Sequence, residues 1–359
     1  SPRRRGPSVL AHGRLSDETT LGPRLRGDDR CKQSLSSEFG GRTGLAMPDP
    51  TVNALPGTVT SPRHRLTLKA AEQRLAWLLL APALIAVAVL IAWPIYVVVQ
   101  MSLRPGKALA LSELMTRPLG LANYDRVMHQ PALWEAFGHS AVYTVGSLAP
   151  AFLAGLLFAL LFHRVFPARR WLRSLLLLPW AVPGVVVSIT FLWMLDASYG
   201  VVNAILRDIG VTGDIAWFVD ARTAMAAVIV PTVWKSFPFF TITLLAALQS
   251  IPASLYEAAR VDGATAWQQF VHVTWPGIRR PALLAVLLNA LWTFREFDII
   301  YASTGGGPAG ATETLGILVY REAFGSFRFG TAAAIGVLML LTATVFVLLS
   351  MRRLKDELR

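Results

Sequence analysis

Residues 76–100 read AWLLLAPALIAVAVLIAWPIYVVVQ, a run without a single charged side chain. About twenty apolar residues in a helix are enough to cross the hydrocarbon core of a bilayer. The whole chain has the same character, because 54% of its residues are hydrophobic and only 16% are charged. Soluble domains carry roughly a quarter charged residues. The composition therefore indicates an integral membrane protein.

Five further apolar runs follow along the chain. They cover residues 139–162, 173–195, 223–248, 282–303 and 329–350. The run 173–195 is interrupted by Pro179 and Pro183, whereas the last run is uninterrupted. We predict an all-α integral membrane protein with six transmembrane helices, and a membrane domain that extends over residues 75–355.

Basic residues cluster in particular connections between these runs. The stretch 163–173 holds four arginines and no acid, and 249–281 holds three more arginines. Because cytoplasmic loops carry an excess of Lys and Arg, these two loops and both termini are predicted to be cytoplasmic. The loop 101–137 departs from this pattern, since it also holds four basic residues. In so apolar a chain, the net charge of +12 favours this orienting role over nucleic-acid binding.

The first 74 residues differ from the rest of the chain. Residues 1–74 are rich in Arg, Gly, Pro and Ser and lack an apolar period, which predicts a disordered basic cytoplasmic tail. Met47 is the first methionine, so it is a candidate start that would leave residues 1–46 outside the native protein. Cys31 is the only cysteine, which excludes an intrachain disulfide and a cysteine-ligated metal site. No metal site is expected.

The connection 249–281 is too long for a simple turn between two membrane helices. Ser254 and Glu257 have the spacing of a capping box at the start of a short helix. Gly263 permits a sharp turn into a second helix, 265–274, which Pro276 would end. Two short helices joined at a glycine form a knob that suits a groove on a partner protein. An interfacial amphipathic hairpin without a partner is the alternative.

The same loop carries a recognisable motif. It consists of Glu257, Ala258 and Ala259, followed by Gly263, Val273, Trp275 and Pro276. This spacing resembles the EAA loop of binding-protein-dependent ABC import permeases, and the resemblance extends over residues 75–355. In that family the loop is a coupling helix that inserts into an ATP-hydrolysing subunit, so the resemblance implies this role for Glu257, Ala258, Ala259 and Gly263.

Several partners are implied by the same resemblance. They are two ATP-binding cassette subunits, a second and different permease subunit, and a periplasmic or lipid-anchored solute-binding protein. The resemblance also implies a location in the bacterial cytoplasmic (inner) membrane. No G-x-x-x-x-G-K-[ST] motif occurs in the sequence, so this chain is not expected to bind ATP through a P-loop. The resemblance therefore implies a transport subunit that is not itself an enzyme, with no cofactor of its own and with ATP and Mg²⁺ bound by the partner.

A glycine-rich segment narrows the resemblance. Residues 303–308 read STGGGP and are followed by Glu313-Thr314-Leu315, which is similar to the carbohydrate permeases of the maltose, trehalose and glycerol-phosphate type. This similarity implies a sugar or an oligosaccharide as the solute, either a disaccharide such as maltose or trehalose or a glycerol-phosphate-like compound. The segment also matches G-x-G-x-x-G, but a dinucleotide fingerprint needs a preceding soluble strand. A periplasmic turn that contacts the solute-delivery protein is the preferred interpretation.

Two stripes of polar and aromatic residues lie inside the fourth and fifth apolar runs. Both stripes have the spacing i, i+3, i+4 and i+7, which places their members on one helical face. Their residues are Thr232, Lys235, Ser236 and Phe239 on one run and Asn289, Trp292, Thr293 and Glu296 on the other. We predict that the stripes form opposite walls of a substrate-binding site, since hydroxyls, amides and aromatic rings suit a sugar. The positions match the sugar site of maltose-type permeases, where Lys235 and Glu296 have uncharged counterparts.

Other roles for the charged members remain open. Lys235 and Glu296 could pair with each other, or with Arg295 and Asp298, and so fix the packing of the helices. A secondary transporter driven by an ion gradient would instead use Lys235, Glu296 and Asp298 as a relay. A membrane enzyme is a third alternative, although no cluster in the runs has the spacing of metal ligands or of a nucleophile and its base.

Overall fold

The computed structural model describes residues 63–356, except residues 109, 165–168 and 212, and these residues contain no β-strand. In chain order the helices are α1 (Arg63–Val87), α2 (Trp93–Ser102), α3 (Leu111–Met115), α4 (Ala122–Met128), α5 (Pro131–His163), α6 (Arg169–Leu176), α7 (Leu178–Ala181), α8 (Gly184–Met194), α9 (Val201–Asp208), α10 (Ala221–Gln249), α11 (Ala253–Val261), α12 (Ala266–Gln269), α13 (Trp275–Phe294), α14 (Asp298–Thr304), α15 (Leu315–Tyr320) and α16 (Phe329–Asp356). π-helical turns occupy Ala88–Ala92, Phe270–Thr274 and Arg321–Gly325.

The start of α1 corrects the predicted tail. This helix begins at Arg63, so residues 63–74 are helical although the sequence predicts disorder there. The remainder of the predicted tail, with Cys31 and Met47, lies outside the described residues.

Four stretches of helix in the described part of the chain are long and apolar enough to cross a membrane. They are Glu72–Ser102, Pro131–His163, Ala221–Gln249 and Phe329–Arg352. A fifth span is added if Trp171–Ala181 and Gly184–Met194, which meet at 96°, are counted as one broken span. The break follows from the sequence, because Val182 precedes Pro183 and the residue before a proline is driven out of the helical region.

The predicted apolar run 282–303 is not a single helix. Its first part lies in α13, which ends at Phe294, and its second part forms α14, which begins at Asp298. The charged residues of the run lie at and beside this break. The all-α class is confirmed, but the count of six membrane spans is not.

Two of the π-helical turns let a helix pass through a Trp-Pro pair. The N–H of Trp93 donates to the carbonyl of Ala88, and the N–H of Trp275 donates to the carbonyl of Phe270. Each of these hydrogen bonds joins residue i to residue i−5, as in a π-helix. The wider turn makes room for the following proline, whose ring would clash with the carbonyl four residues before it in a regular α-helix. The prediction that Pro276 ends a helix is therefore wrong: the helix continues from the π turn into α13.

The helices α5 and α10 form the centre of the packing. Ala151 and Ala159 of α5 and Phe240 of α10 are completely buried. Gly155 marks the closest approach of the two helices, since a Cβ built on it would lie 2.3 Å from the Cβ of Phe240 and 3.0 Å from two backbone atoms of α10. The two longest described helices outside the terminal spans are therefore held together by small residues, as is usual for membrane helices.

Replacing Gly155 with alanine is expected to lower the free energy of unfolding by about 1–3 kcal/mol, because the new methyl group must push α10 away. The measurement is the midpoint of thermal unfolding in detergent. Gly138→Ala is the matched control on the same helix, since a Cβ at Gly138 meets no atom within 4 Å. Equal midpoints for the two variants would contradict the close contact at Gly155.

Candidate functional site

One cavity brings the two predicted stripes together. It has a volume of about 200 Å³ and lies between α10, α13 and the bend that joins α7 to α8. Its lining residues are Trp180, Thr232, Lys235, Ser236, Asn289, Trp292, Thr293, Glu296 and Ile299. All predicted stripe residues except Phe239 line the cavity. Phe239 packs against a residue that lines the cavity, because its ring makes an edge contact with Trp292 at 5.1 Å between centroids.

The sequence prediction missed Trp180 and Ile299. Trp180 follows Pro179 in the short helix α7 just before the bend, and Ile299 lies in the first turn of α14 just after the second break. Both residues reach the cavity only because the chain breaks beside them. The interruption of the apolar run at Pro179 and Pro183 was the one signal that could have indicated Trp180.

The buried hydroxyl groups of the cavity are held by hydrogen bonds. The Thr232 hydroxyl donates to the carbonyl of Val228 at 3.1 Å and is paired with the Tyr143 hydroxyl. The Thr293 hydroxyl donates to the carbonyl of Asn289 at 2.9 Å. Because buried polar groups with satisfied hydrogen bonds adopt fixed orientations, the hydroxyls of Thr232 and Thr293 have defined positions in the two walls.

Lys235 is bound to the break between α7 and α8. Its Nζ donates to the carbonyl of Val182 and lies 3.4 Å from the carbonyl of Trp180. These carbonyls belong to the end of a short helix, where carbonyl groups lack helical partners and favour a positive charge. Lys235 therefore stabilises the bend as well as lining the cavity.

Glu296 has the corresponding role at the second break. Its Oε1 accepts the backbone N–H of Ile299 at 3.2 Å, in the first turn of α14. Unpaired N–H groups at the start of a helix favour a carboxylate. Each charged residue of the cavity is thus bound to the backbone at a helix end.

The direct ion pairs considered for these residues do not form. Among the ion pairs of the described residues, none within 4.0 Å joins Lys235 to Glu296, or either of them to Arg295 or Asp298. The Nε of Arg295 instead donates to the carbonyl of Leu291 in its own helix. The alternative role in helix packing was predicted through ion pairs. In the structure, Lys235 and Glu296 instead contact the backbone at the two helix breaks.

The two breaks lie against each other. The Ser188 hydroxyl of α8 donates to the carbonyl of Ile299 in α14 at 3.2 Å. A Cβ built on Gly184 would lie 3.2 Å from the Cβ of Asp298. The absence of a side chain at Gly184 therefore allows the start of α8 to approach the start of α14, which places Asp298 at this contact.

Substituting Lys235 with methionine is expected to lower the free energy of unfolding by about 1.5–3 kcal/mol even without solute, since a hydrogen bond to a charged group is lost at the bend. The check is a thermal unfolding measurement on the solute-free protein. Ser236→Ala is the control, because Ser236 lines the same cavity one position along. A Lys235 that serves only as a solute ligand would leave the solute-free stability unchanged.

The predicted short helix of the loop 249–281 is α11. It starts at Ala253 with Pro252 as N-cap and no side-chain cap, so the capping box predicted for Ser254 and Glu257 is wrong. The box occurs instead at the next helix, where the Thr265 hydroxyl accepts the N–H of Gln268 and the Gln268 side chain accepts that of Thr265.

Gly263 makes the turn that follows α11. Its φ is +75°, in the left-handed region that favours glycine. The N–H of Gly263 donates to the carbonyl of Arg260, and that of Ala264 donates to the carbonyl of Ala259, which is the Schellman arrangement at a helix C-terminus. No residue of α11 is buried. Glu257, Ala258 and Gly263 thus lie on an exposed helix and its turn.

The glycine-rich segment does not have the geometry of a nucleotide-binding loop. Gly305, Gly306 and Gly310 have positive φ values of 59°, 95° and 81°. The next helix, α15, begins only at Leu315, whereas a dinucleotide fingerprint opens a helix at its last glycine. The segment is closed internally, because the Thr312 hydroxyl donates to the carbonyl of Gly307 at 2.7 Å.

Comparisons with known proteins define the class. Residues 151–359 match the family described as binding-protein-dependent transport system inner membrane component. The chain is 34% identical to the trehalose/maltose transport system permease protein MalF of Thermococcus litoralis, over 81% of this chain and 97% of that protein. It is also 34% identical to the sulfoquinovosyl glycerol transport system permease protein SmoG of Agrobacterium fabrum, over 82% and 96% of the two chains.

The fold is also found in a solved structure. A chain of a bacterial alginate ABC transporter, in complex with an alginate pentasaccharide-bound periplasmic protein, aligns with a TM-score of 0.66 at 24% identity and covers 80% of this chain and 96% of that one. The protein is therefore an inner membrane permease subunit of an ATP-binding cassette importer. It belongs to the family of binding-protein-dependent transport system inner membrane components.

Proposed function

We propose that this chain is the pore-forming permease subunit that carries the solute site of a sugar or oligosaccharide importer. The cavity between α10, α13 and the α7–α8 bend is the observation that carries this proposal. It combines the Asn289 amide, the Ser236 hydroxyl and the indoles of Trp180 and Trp292. Amides and hydroxyls exchange hydrogen bonds with sugar hydroxyls, and indoles cover the apolar C–H faces of a sugar ring.

The charges of the cavity support a neutral solute. One ammonium group and one carboxylate line the cavity, and each is already bound to the backbone at a helix break. The positive and negative charges of the cavity are equal in number, and both already have hydrogen-bond partners. A solute with a net charge would therefore find no free group of opposite charge in the cavity, and burying it would be costly. Named relatives transport trehalose and maltose or sulfoquinovosyl glycerol, and the first of these solute classes fits the cavity better.

Family membership supports a proposal for the assembly. The broken helix α13–α14 would form the sixth span beside the five described above, with both termini and the loops 163–173 and 249–281 in the cytoplasm. The exposed helix α11 would insert into a cleft of the ATPase through Glu257, Ala258 and Ala259. Two ATPase subunits would bind ATP and Mg²⁺, and a second, different permease subunit would complete the pore.

Solute would arrive from a binding protein outside the cytoplasm, in contact with the turn at Gly305–Pro308. The related alginate transporter in complex with its periplasmic protein supports such a docking. Binding of ATP would draw the coupling helices together and open the cavity outward, and hydrolysis would reset it.

The test is uptake by the purified complex in proteoliposomes with identical ion concentrations on both sides. Radiolabelled trehalose and maltose, each with the cognate binding protein, are the probes. Uptake that requires enclosed ATP and no ion gradient is expected. Uptake that needs a proton or sodium gradient and ignores ATP would favour the secondary transporter, with Lys235, Glu296 and Asp298 as its relay.

A further inference from the structure

A second cavity, of about 310 Å³, lies between α6, the residue that follows it and the last turns of α10. Along α10 it is lined by Ile242, Leu245 and Gln249, which share one helical face and extend over about 10 Å. Arg173 lines the same cavity from α6. The cavity is thus a slot with apolar walls and with polar groups from two helices.

Arg173 is held in place and has an unused donor. Its Nη2 donates to the carbonyl of Phe162, in the last turn of α5, at 2.7 Å. Its Nε is shielded from solvent and has no hydrogen-bond partner. A shielded donor without an acceptor is rare in native proteins, and a bound water or anion would satisfy it. A guanidinium group has five N–H donors in a planar fork that matches phosphate oxygens.

The surroundings of the slot favour an anionic ligand in the membrane. The helix α6 has the sequence RRWLRSLL, with three arginines and no acid. Its Trp171 is 77% exposed. Basic residues and an exposed tryptophan at the start of the broken span Trp171–Ala181 are typical of a membrane helix that ends at the headgroup level.

We propose that the slot binds an anionic phospholipid, with its phosphate on Arg173 and the first part of an acyl chain along Ile242 and Leu245. Inorganic phosphate could satisfy Arg173 alone, but it would leave the apolar walls uncovered. The orientation predicted from the basic loops would place α6 at the cytoplasmic leaflet, where anionic lipids attract basic segments. The slot is separate from the solute cavity, and this inference does not depend on which solute is carried.

The test is native mass spectrometry of the full chain, with any co-purifying subunits, titrated with dioctanoyl phosphatidylglycerol. Arg173→Gln is expected to weaken binding about five-fold, the effect of one basic residue at an anionic membrane surface. Arg222→Gln, an exposed arginine at the other end of α10, is the matched control and should bind like the native chain. Arg173→Lys keeps the charge without the fork and should give an intermediate affinity.

A second variant separates the lipid from free phosphate. Ile242→Trp fills the apolar slot but keeps Arg173. The variant should therefore bind phosphatidylglycerol more weakly, whereas its affinity for inorganic phosphate, measured by competition, should equal that of the native chain. The proposal is overturned if both Arg173→Gln and Ile242→Trp bind phosphatidylglycerol like the native chain. It is also overturned if inorganic phosphate displaces the lipid completely and Ile242→Trp has no effect, because the site would then be a phosphate site.

Discussion

Replacing Trp292 with alanine is expected to lower the affinity for solute about 30- to 1,000-fold, which corresponds to about 2–4 kcal/mol for the loss of a central aromatic contact. Trp292 is 44% exposed, and its ring packs against Phe239 at 5.1 Å between centroids. An exposed but fixed indole loses little conformational freedom when a sugar ring stacks on it. Binding of radiolabelled solute and uptake in proteoliposomes are the measurements.

Trp193→Ala is the control for this prediction. Trp193 is 68% exposed and lies in α8, outside the lining of the cavity. The variant should bind and transport solute like the native protein. Recovery of the complete complex on size-exclusion chromatography shows that Trp292→Ala has not disturbed assembly. Normal uptake by an assembled Trp292→Ala complex would refute the assignment of this cavity as the solute site.

Replacing Gly263 with valine is expected to abolish ATP-driven uptake while the membrane helices remain folded. A β-branched residue at a φ of +75° is strained by roughly 1–2 kcal/mol or more, so the turn would open and α11 would lose its position. There is room for the side chain, because a Cβ at Gly263 meets no atom within 4 Å. The strain therefore acts on the backbone of the turn, and stimulation of ATPase activity by loaded binding protein is the measurement.

The chain offers a close control for the glycine. Gly210 ends α9 with a φ of +90° and open space around it. It has the same pair of hydrogen bonds, from Gly210 to Arg207 and from Val211 to Leu206. Gly210→Val suffers the same strain outside the loop 249–281 that is proposed to contact the ATPase, and it should retain uptake. Gly263→Asn should retain part of it, since asparagine tolerates this conformation. Loss of uptake in Gly210→Val alone would count against the coupling role.

Helical periodicity was sufficient to find most residues that line the cavity proposed as the solute site. The pitch of a helix is fixed by its backbone hydrogen bonds, so the stripe from Thr232 to Phe239 had to lie on one face of α10 whatever the tertiary packing. The same holds for Asn289 to Glu296. Which other residues face the stripes depends on packing between helices, and for this reason Trp180 and Ile299 could not be derived from spacing alone.

The errors arose at helix ends. Ser254 and Glu257 have the spacing of a capping box, but Pro252 starts the helix earlier and leaves Ser254 inside it. The equivalent pattern at Thr265 and Gln268 does form the box. The break after Phe294 is not evident from the sequence, because residues 282–303 form one apolar run with Glu296 as a charge inside it. The position of a helix end depends on which backbone and side-chain groups compete for the same hydrogen bonds. The spacing of residues in the sequence gives little information about this competition.

The arrangement of Lys235 and Glu296 separates two tasks that a transport protein has to combine. These residues are bound to the backbone at the helix breaks, whereas in the proposed site Ser236, Asn289 and Trp292 would contact the hydroxyl groups and ring faces of the solute. If the proposed site is correct, a substitution at Ser236 or Asn289 would change the preferred sugar and leave the bends at Lys235 and Glu296 in place. The scaffold is in this sense evolvable: specificity can drift while the architecture of the pore stays constant.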